Sequence, residues 1–222
     1  MKFSELHLSE AVSKGIDVFQ PATYKDDQVF DQYKALKPDL TVMAFVTDII
    51  PERFFEVPTH GTINYHPSIL PRHRGASAIN WAVIMGDTRT GLSIFWPDGG
   101  IDTGFILLQK EIEIGPDDTT GSLYFNHLFP MGVDAILESI DLVKAGKAPK
   151  IAQDEDRKTY IQCKTNMRYQ GGCCAGITDS GYHDLHGFVS AIEGRNGLGT
   201  GTTTNRLSSV LMVVDTRFRD ST

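Results

Sequence analysis

Short apolar runs alternate with longer amphipathic runs along the chain up to about residue 150. Apolar runs bounded by turn residues are typical of buried strands, and apolar residues spaced three and four apart predict helices. The pattern predicts strands at 16–19, 40–45, 61–65, 92–96 and 106–114, and helices at 25–36, at 76–85 and from about 118 to just before Gly146. At the start of the last helix, Asp117 and Asp118 are the expected N-terminal caps. This alternation of strand and helix indicates an α/β layered fold.

The start of the chain departs from the usual opening of such folds. A doubly wound domain normally begins with a strand, a glycine-containing turn and a helix. Here the chain begins with the polar, helix-like stretch MKFSELHLSEAVSKG, and no GxGxxG occurs anywhere. Either the first βαβ unit is absent or the fold does not need it. We therefore predict an open, mostly parallel Rossmann-like sheet that lacks the first βαβ unit.

Composition divides the chain in two. Residues 1–156 carry 13 basic and 23 acidic side chains, whereas residues 157–222 carry 8 basic and 5 acidic ones. All ten prolines precede residue 150, and all three cysteines (Cys163, Cys173 and Cys174) follow residue 160. We interpret 1–156 as the organised domain and 157–222 as a degenerate carboxy-terminal tail.

The totals exclude several classes of protein. With 222 residues, 41% of them apolar, the chain can bury a core, which excludes wholesale disorder. Its net charge of −7 argues against a protein that grips nucleic acid along a basic face. No apolar run is long enough to span a bilayer, and no secretion signal opens the chain. A cytoplasmic protein without membrane contact is the expectation.

Three polar residues are the candidates for chemistry. Asn64 and His66 lie on one face at the end of a predicted strand, and Asp102 follows 36 residues after His66 in the glycine-rich loop PDGGIDTG. Open α/β sheets bind ligands at this strand edge. There an amide can donate to a developing oxyanion, and an imidazole can exchange a proton near neutral pH. The same residues also fit a structural histidine beside an ordinary turn.

The segments INYHPSILPRHRGASAINWAVIMGD, GLSIFWPDGGIDTG, ILLQKEIEIGPDDT and LFPMGVDAILE resemble the family of 10-formyltetrahydrofolate-dependent formyltransferases and hydrolases. The resemblance covers roughly residues 10–155. It is strongest to the hydrolase domain of 10-formyltetrahydrofolate dehydrogenase and more distant to methionyl-tRNA formyltransferase. The family motif is N-x-H-x-S-x-L-P with an aspartate 36 residues after its histidine, and six residues match it: Asn64, His66, Ser68, Leu70, Pro71 and Asp102.

The resemblance implies a formyltransferase-type sheet, 10-formyltetrahydrofolate as formyl donor, and three catalytic roles. Asn64 would hold the formyl oxygen. His66 would stabilise and protonate the tetrahedral intermediate, and Asp102 would tune His66 and relay a proton through water. Two loops would bind the folate pterin, and their residues are Val46, Thr47, Asp48, Ile49, Ile50, Asp98, Gly99, Gly100 and Ile101.

The acceptor and the activity stay open. An amine acceptor such as an aminoacyl-tRNA is favoured by Asn64, whereas water is favoured by the hydrolase-like stretch HPSILPRHRGASAINW. Because the family's first strand and the loop after it have no counterpart here, the alternative is a non-catalytic folate-binding or unstable fragment.

Two further signals concern metals and anions. His60, His66 and His73 fit no common ligand spacing, so no metal is expected. The basic cluster PRHRG, with Arg72 and Arg74, either anchors its loop or meets a phosphate or RNA.

Overall fold

The computed structural model describes residues 19, 21–44, 46 and 49–160, together with the backbone of residues 202–203 and 210–214. The strand predicted at 16–19 lies outside these residues except for Phe19, which is in no strand. The three cysteines also lie outside them. The chain divides into two compact units, Met1–Asn64 with Leu185–Thr222, and Tyr65–Asp184. The domain boundary expected at residue 156 stays a prediction.

The secondary structure of the described residues agrees closely with the predicted elements. In chain order the elements are α1 (Asp27–Ala35), β1 (Leu40–Ala44), a 3₁₀ turn (Glu52–Phe54), β2 (Thr62–His66), α2 (Ala78–Ile84), β3 (Arg89–Phe95), β4 (Ile106–Glu113), α3 (Thr120–Leu123), a π-helical turn (Tyr124–Leu128), α4 (Phe129–Lys144), a second 3₁₀ turn (Glu155–Arg157), β5 (Thr202–Thr203) and β6 (Val210–Val214).

In the first unit the strand order is β2-β1-β6-β5. β1 runs parallel to β2, with Thr41 opposite Thr62 and Val42 opposite Ile63, and antiparallel to β6. All five residues of β1 are buried. A strand buried along its whole length reads as a continuous apolar run, which is why it was recognisable in the sequence.

Helix α1 forms because its ends and its apolar face are well specified. The Asp26 carboxylate accepts the Gln28 N–H at 2.9 Å and so caps the helix. Val29, Phe30 and Tyr33 lie at the spacing of one helical face, and all three pack in the cluster around Phe54. Burial raises the pKa of the Tyr33 hydroxyl to about 12, against the opposing effect of its hydrogen bond with Thr41.

The second unit packs a β-hairpin against helices. β3 and β4 pair antiparallel, with a register shift between Ile94 and Phe95. Helix α4 buries eight residues (Gly132, Val133, Ala135, Ile136, Leu137, Ser139, Ile140 and Val143). A Cβ at Gly132 would lie 2.8 Å from the Tyr65 ring, so this close approach requires glycine.

The structure confirms the predicted open α/β sheet and differs from the prediction in two details. Of the strand pairs whose register the structure gives, β1–β2 is parallel, whereas β1–β6, β3–β4 and β5–β6 are antiparallel, so the sheet is mixed. For β3 and β4 the reason is the loop 96–105, which is too short for the crossover that parallel strands need. The helix cap at the end of β4 is also different: Thr119, and not Asp117 or Asp118, caps α3 by accepting the Ser122 N–H.

Among the helices of the described residues, none has the length and apolar character needed to cross a membrane.

Candidate active site

His66 and Asp102 lie together in the second unit. His66 ends β2, and Asp102 lies in the loop between β3 and β4. His66 Nδ1 is 3.5 Å from Asp102 Oδ2, and their side chains are only 8% and 15% exposed. The structure therefore brings these two predicted site residues together, and their catalytic roles stay a prediction.

The His66 ring is held in one orientation. His66 Nε2 lies 2.8 Å from the backbone carbonyl oxygen of His73. Because a carbonyl can only accept a hydrogen bond, Nε2 carries a proton. Nδ1 then faces the Asp102 carboxylate.

Asp102 is fixed by its backbone conformation and by a backbone donor. Its φ of 54° lies in the left-handed region, which a non-glycine residue adopts only when its surroundings enforce it. The Gly75 N–H donates to Asp102 Oδ2 at 2.7 Å. In the same loop, a Cβ at Gly104 would lie 1.7 Å from the Trp96 carbonyl oxygen, so only glycine fits the turn.

The segment between His66 and Gly75 is held by buried side chains and not by a regular element. Ser93 Oγ donates to the Ser68 carbonyl at 2.7 Å and accepts the Leu70 N–H at 3.0 Å. Ser68 Oγ donates to the Arg72 carbonyl at 2.6 Å. These bonds replace the backbone ladder that the prolines of this segment prevent. The result is a rigid support for His73, which in turn orients His66.

The arginines of PRHRG anchor this segment. Arg72 forms an ion pair with Asp87 at 2.6 Å. Arg74 is fully buried and pairs with Glu155 at 2.6 Å and with the Tyr160 hydroxyl at 2.7 Å. Burial by itself lowers the pKa of the Arg74 guanidinium, but the bonds to Glu155 and Tyr160 outweigh burial and raise it. Arg74 has no exposed surface and cannot meet RNA, so for Arg74 the structure favours anchoring. The Arg72 side chain is 45% exposed, and its ion pair with Asp87 is the observation that favours anchoring there.

Asn64 stands two positions before His66 in β2, at the end of the first unit. Its carboxamide oxygen is buried and has no hydrogen-bond partner among the described residues. An unpaired buried amide oxygen is costly in the free protein, because nothing compensates for its lost hydration. A polar ligand group is one way to satisfy it.

The two loops predicted to bind folate lie in different units and are described separately. In the first unit, Ile49 is exposed, whereas Ile50 is buried in the Phe54 cluster; Thr47 and Asp48 lie outside the described residues. In the second unit, Asp98 shapes its loop by accepting the Gly100 N–H at 3.0 Å. Gly99, Gly100 and Ile101 are exposed. The folate-binding role of both loops stays a prediction.

A comparison with known families identifies the chain. The family model described as "Formyl transferase" matches residues 4–132, more than half of the chain. The chain belongs to the formyl transferase family.

Comparison with two relatives in this family shows what share of their length the chain matches. It is 50% identical over 141 residues to human mitochondrial 10-formyltetrahydrofolate dehydrogenase, covering 63% of this chain and 15% of the relative. It is 38% identical over 156 residues to methionyl-tRNA formyltransferase of Alkaliphilus oremlandii, covering 70% of this chain and 50% of the relative. The chain therefore spans at most half the length of these relatives.

A solved structure supports the formyl transferase fold. The formyltransferase PseJ from Anoxybacillus kamchatkensis, in complex with a UDP-linked formamido sugar and tetrahydrofolate, superimposes with a TM-score of 0.51 at 28% identity. The match covers 59% of this chain and 68% of PseJ.

The structure also brings residues to this formyl transferase site that no sequence pattern indicated. Gln153 Nε2 donates to the carbonyls of Asp102 and Gly104, and Thr159 Oγ1 accepts the His73 N–H. These contacts join residues far apart in sequence and use backbone atoms, which leave no motif.

The histidines that the structure describes form no metal centre. Among the described residues, no group of three histidine, cysteine or carboxylate side chains is positioned to hold a metal ion. His73 instead pairs through Nε2 with Asp87 at 2.7 Å.

Proposed function

We propose that this formyl transferase domain takes the formyl group of 10-formyltetrahydrofolate and passes it to an amine or to water. The observation that carries the proposal is the buried His66–Asp102 pair, with the imidazole fixed by the His73 carbonyl. The relatives add to it, since two are named as a 10-formyltetrahydrofolate dehydrogenase and a methionyl-tRNA formyltransferase, and PseJ holds tetrahydrofolate.

The proposed chemistry follows from the side-chain groups of the site that are able to donate a hydrogen bond or a proton to the substrate. When an amine or water attacks the formyl carbon, an electron pair moves onto the formyl oxygen, and the resulting oxyanion needs donors. The Asn64 carboxamide and the proton on His66 Nδ1 are the donors proposed for it. As the bond between the formyl carbon and the folate nitrogen breaks, that nitrogen takes the Nδ1 proton of His66. The attacking amine or water loses one proton, and this proton returns to His66 through water held beside Asp102, so the site ends in its starting protonation state.

Asp102 supports this step by its charge. Its carboxylate stabilises the imidazolium form of His66 before the proton is given up, and it can orient a water molecule beside Nδ1. The 3.5 Å separation is longer than an ideal charge-assisted hydrogen bond. A proton on Nδ1 is therefore not committed to Asp102 and can pass to a bound substrate.

For the folate we keep the two loops that the family resemblance implies. We propose that Val46, Thr47, Asp48, Ile49 and Ile50 offer backbone groups to the pterin and that the loop from Asp98 to Ile101 wraps it. No metal takes part in this proposal.

The proposal also has to name the molecule that accepts the formyl group. The acidic excess of residues 1–156 disfavours a transfer RNA, because phosphate contacts require basic side chains. A small amine or water is therefore the acceptor we propose first. The cytoplasmic location expected from the sequence stays a prediction.

The experiment replaces His66 by alanine and follows formyl release from 10-formyltetrahydrofolate by absorbance, with water, a small amine or methionyl-tRNA as acceptor. We expect a loss of at least about 10²-fold in turnover, because general acid–base catalysis contributes about 10²–10⁴-fold. Folate affinity should stay within about tenfold, since other loops bind the pterin.

His60→Ala is the matched control, because it removes an exposed histidine of the first unit. It should leave turnover unchanged. A His66→Ala variant that folds and still turns over would refute the assigned role.

A further inference from the structure

We propose that Gln153 is a positioning residue for Asp102, acting through the backbone of the loop 96–105. The inference rests on the proposed function only for its effect on turnover. The structural claim is that Gln153 keeps the Asp102 carboxylate in place, and this claim can be tested even if the protein shows no turnover.

The side-chain amide of Gln153 donates two hydrogen bonds to the loop 96–105. Its Nε2 donates to the Asp102 carbonyl at 2.9 Å and to the Gly104 carbonyl at 2.7 Å. These two carbonyls flank Thr103, so the turn that carries Asp102 is tied at two points. Asp102 needs such ties, because its left-handed backbone conformation is unfavourable for a residue with a side chain.

Arg74 determines which way the Gln153 amide points. Gln153 Oε1 accepts from Arg74 Nε at 3.0 Å and from Nη2 at 2.6 Å. A guanidinium can only donate, so the amide oxygen must face it and the amide nitrogen must face the loop. A flipped amide would set oxygen against two carbonyl oxygens. The orientation of Gln153 is therefore set by its partners on both sides.

The backbone around Gln153 is itself fixed to the second unit. Ile151, two residues earlier, exchanges both backbone hydrogen bonds with Ile106 at 2.8 and 2.9 Å. Thr159, six residues later, donates its N–H to the Pro71 carbonyl. Gln153 thus reaches the loop from a segment anchored on both sides, which is the condition for positioning another residue.

The test substitution is Gln153→Glu, which keeps the size of the side chain and its acceptor for Arg74 but replaces the donor by an oxygen. Two carbonyls then face a carboxylate, and the loop should relax. A misplacement of about 1 Å at a catalytic group costs about 10²-fold. We therefore expect turnover to fall about tenfold to a hundredfold, with the KM for folate changed less than about threefold.

The control is Glu155→Gln, because Glu155 also bonds Arg74 but touches no part of the loop 96–105. Its turnover should stay within about twofold of the wild type. Gln153→Met, which lacks the donor and adds no charge, replaces Gln153→Glu if that variant does not fold.

Combination with Asp102→Ala separates positioning from general damage. If Gln153 acts through Asp102, Gln153→Glu should lower the residual turnover of Asp102→Ala by less than about twofold, because the residue it positions is gone. Losses that multiply in the double variant would overturn the proposal.

Hydrogen exchange of the Gly75 amide supplies the second readout, since this N–H donates to Asp102 Oδ2. Gln153→Glu should speed its exchange by at least about tenfold, while Glu155→Gln should not. Unchanged Gly75 exchange in Gln153→Glu would overturn the proposal. If the wild type shows no turnover, the proposed function fails, whereas Gly75 exchange still decides the role of Gln153.

Discussion

The first unit is built around Phe54, whose ring lies 5.0–5.8 Å from the rings of Tyr24, Phe30 and Tyr33. The second unit instead buries polar groups around its candidate active site, among them Arg74 and Ser93, which have no exposed surface. The free energy gained by burying apolar surface is non-directional and proportional to area, whereas hydrogen bonds demand one geometry. A catalytic pair needs a fixed geometry, and it is found in the region held by directional bonds.

Because of this difference, the two regions should respond to substitution in opposite ways. The Phe54 cluster should tolerate apolar side chains of similar volume and fail when volume is lost. The polar region should fail when a single atom is lost, because its buried partners stay unsatisfied. Loss of a large apolar side chain from the first region and loss of a single polar atom from the second therefore test the comparison.

Phe54→Ala is expected to have the largest effect on stability. Removal of a fully buried ring in contact with three others should lower the free energy of unfolding by about 3–5 kcal/mol. Phe54→Leu should cost less than half as much, since it restores most of the apolar volume. Urea unfolding of both variants gives the measurement, and equal losses would show that ring geometry and not volume stabilises this cluster.

Ser93→Ala removes one oxygen and should cost about 1–3 kcal/mol. Its hydroxyl donates to the Ser68 carbonyl and accepts from the Leu70 N–H and the Gln109 amide. Water cannot replace the hydroxyl in a buried position, so these partners stay unsatisfied. Ile94→Val, which removes one carbon from the adjacent, equally buried residue, is the control, with an expected cost of about 0.5–1.5 kcal/mol.

Turnover should separate these two variants further. Ser93→Ala loosens the segment that leads to His73, so formyl release should fall several-fold, whereas in Ile94→Val it should not. Identical stability and identical turnover in both variants would remove the distinction drawn between the polar and the apolar interior.

Glu155→Gln should have the smallest effect, seen only in acid. The hydrogen bond from Arg74, and after it that from Lys158, lowers the pKa of the Glu155 carboxyl in the folded protein. The unfolded chain therefore takes up this proton first, and the stabilisation present at neutral pH is lost as the pH falls below the ordinary value of 4.5.

Melting temperatures of the wild type and Glu155→Gln between pH 7 and pH 3 give the test. The two curves should differ most at neutral pH and converge in acid. Asp118, whose pKa is also lowered, by Ser122 and Gly115, is present in both proteins and cancels. Parallel curves would show that the Arg74–Glu155 pair does not contribute to acid sensitivity.

The elements were predictable where local pattern and burial agree. α1 has an aspartate cap and one apolar face, and β1 is an apolar run buried along its length. The cap of α3 was mispredicted because several residues that favour caps stand side by side. Thr119 takes the cap, while Asp118 accepts the Gly115 N–H and the Ser122 hydroxyl instead.

Within the site, the sequence indicated the pair but not its support. His66 and Asp102 were recognisable from a strand end, a glycine-rich loop and the family motif. Gln153 and Thr159 were not recognisable, because they lie 51 and 86 residues from their partners. They also bond backbone atoms, which every type of residue carries. Such contacts depend on the folded path of the chain.

The most direct test of the account is formyl release from 10-formyltetrahydrofolate by the wild type beside Asp102→Ala, followed by absorbance. We predict measurable turnover in the wild type and a loss of at least about 10²-fold in the variant, because His66 then lacks the charge that stabilises its proton. Equal turnover in the two proteins would contradict the central claim that the His66–Asp102 pair moves the formyl group.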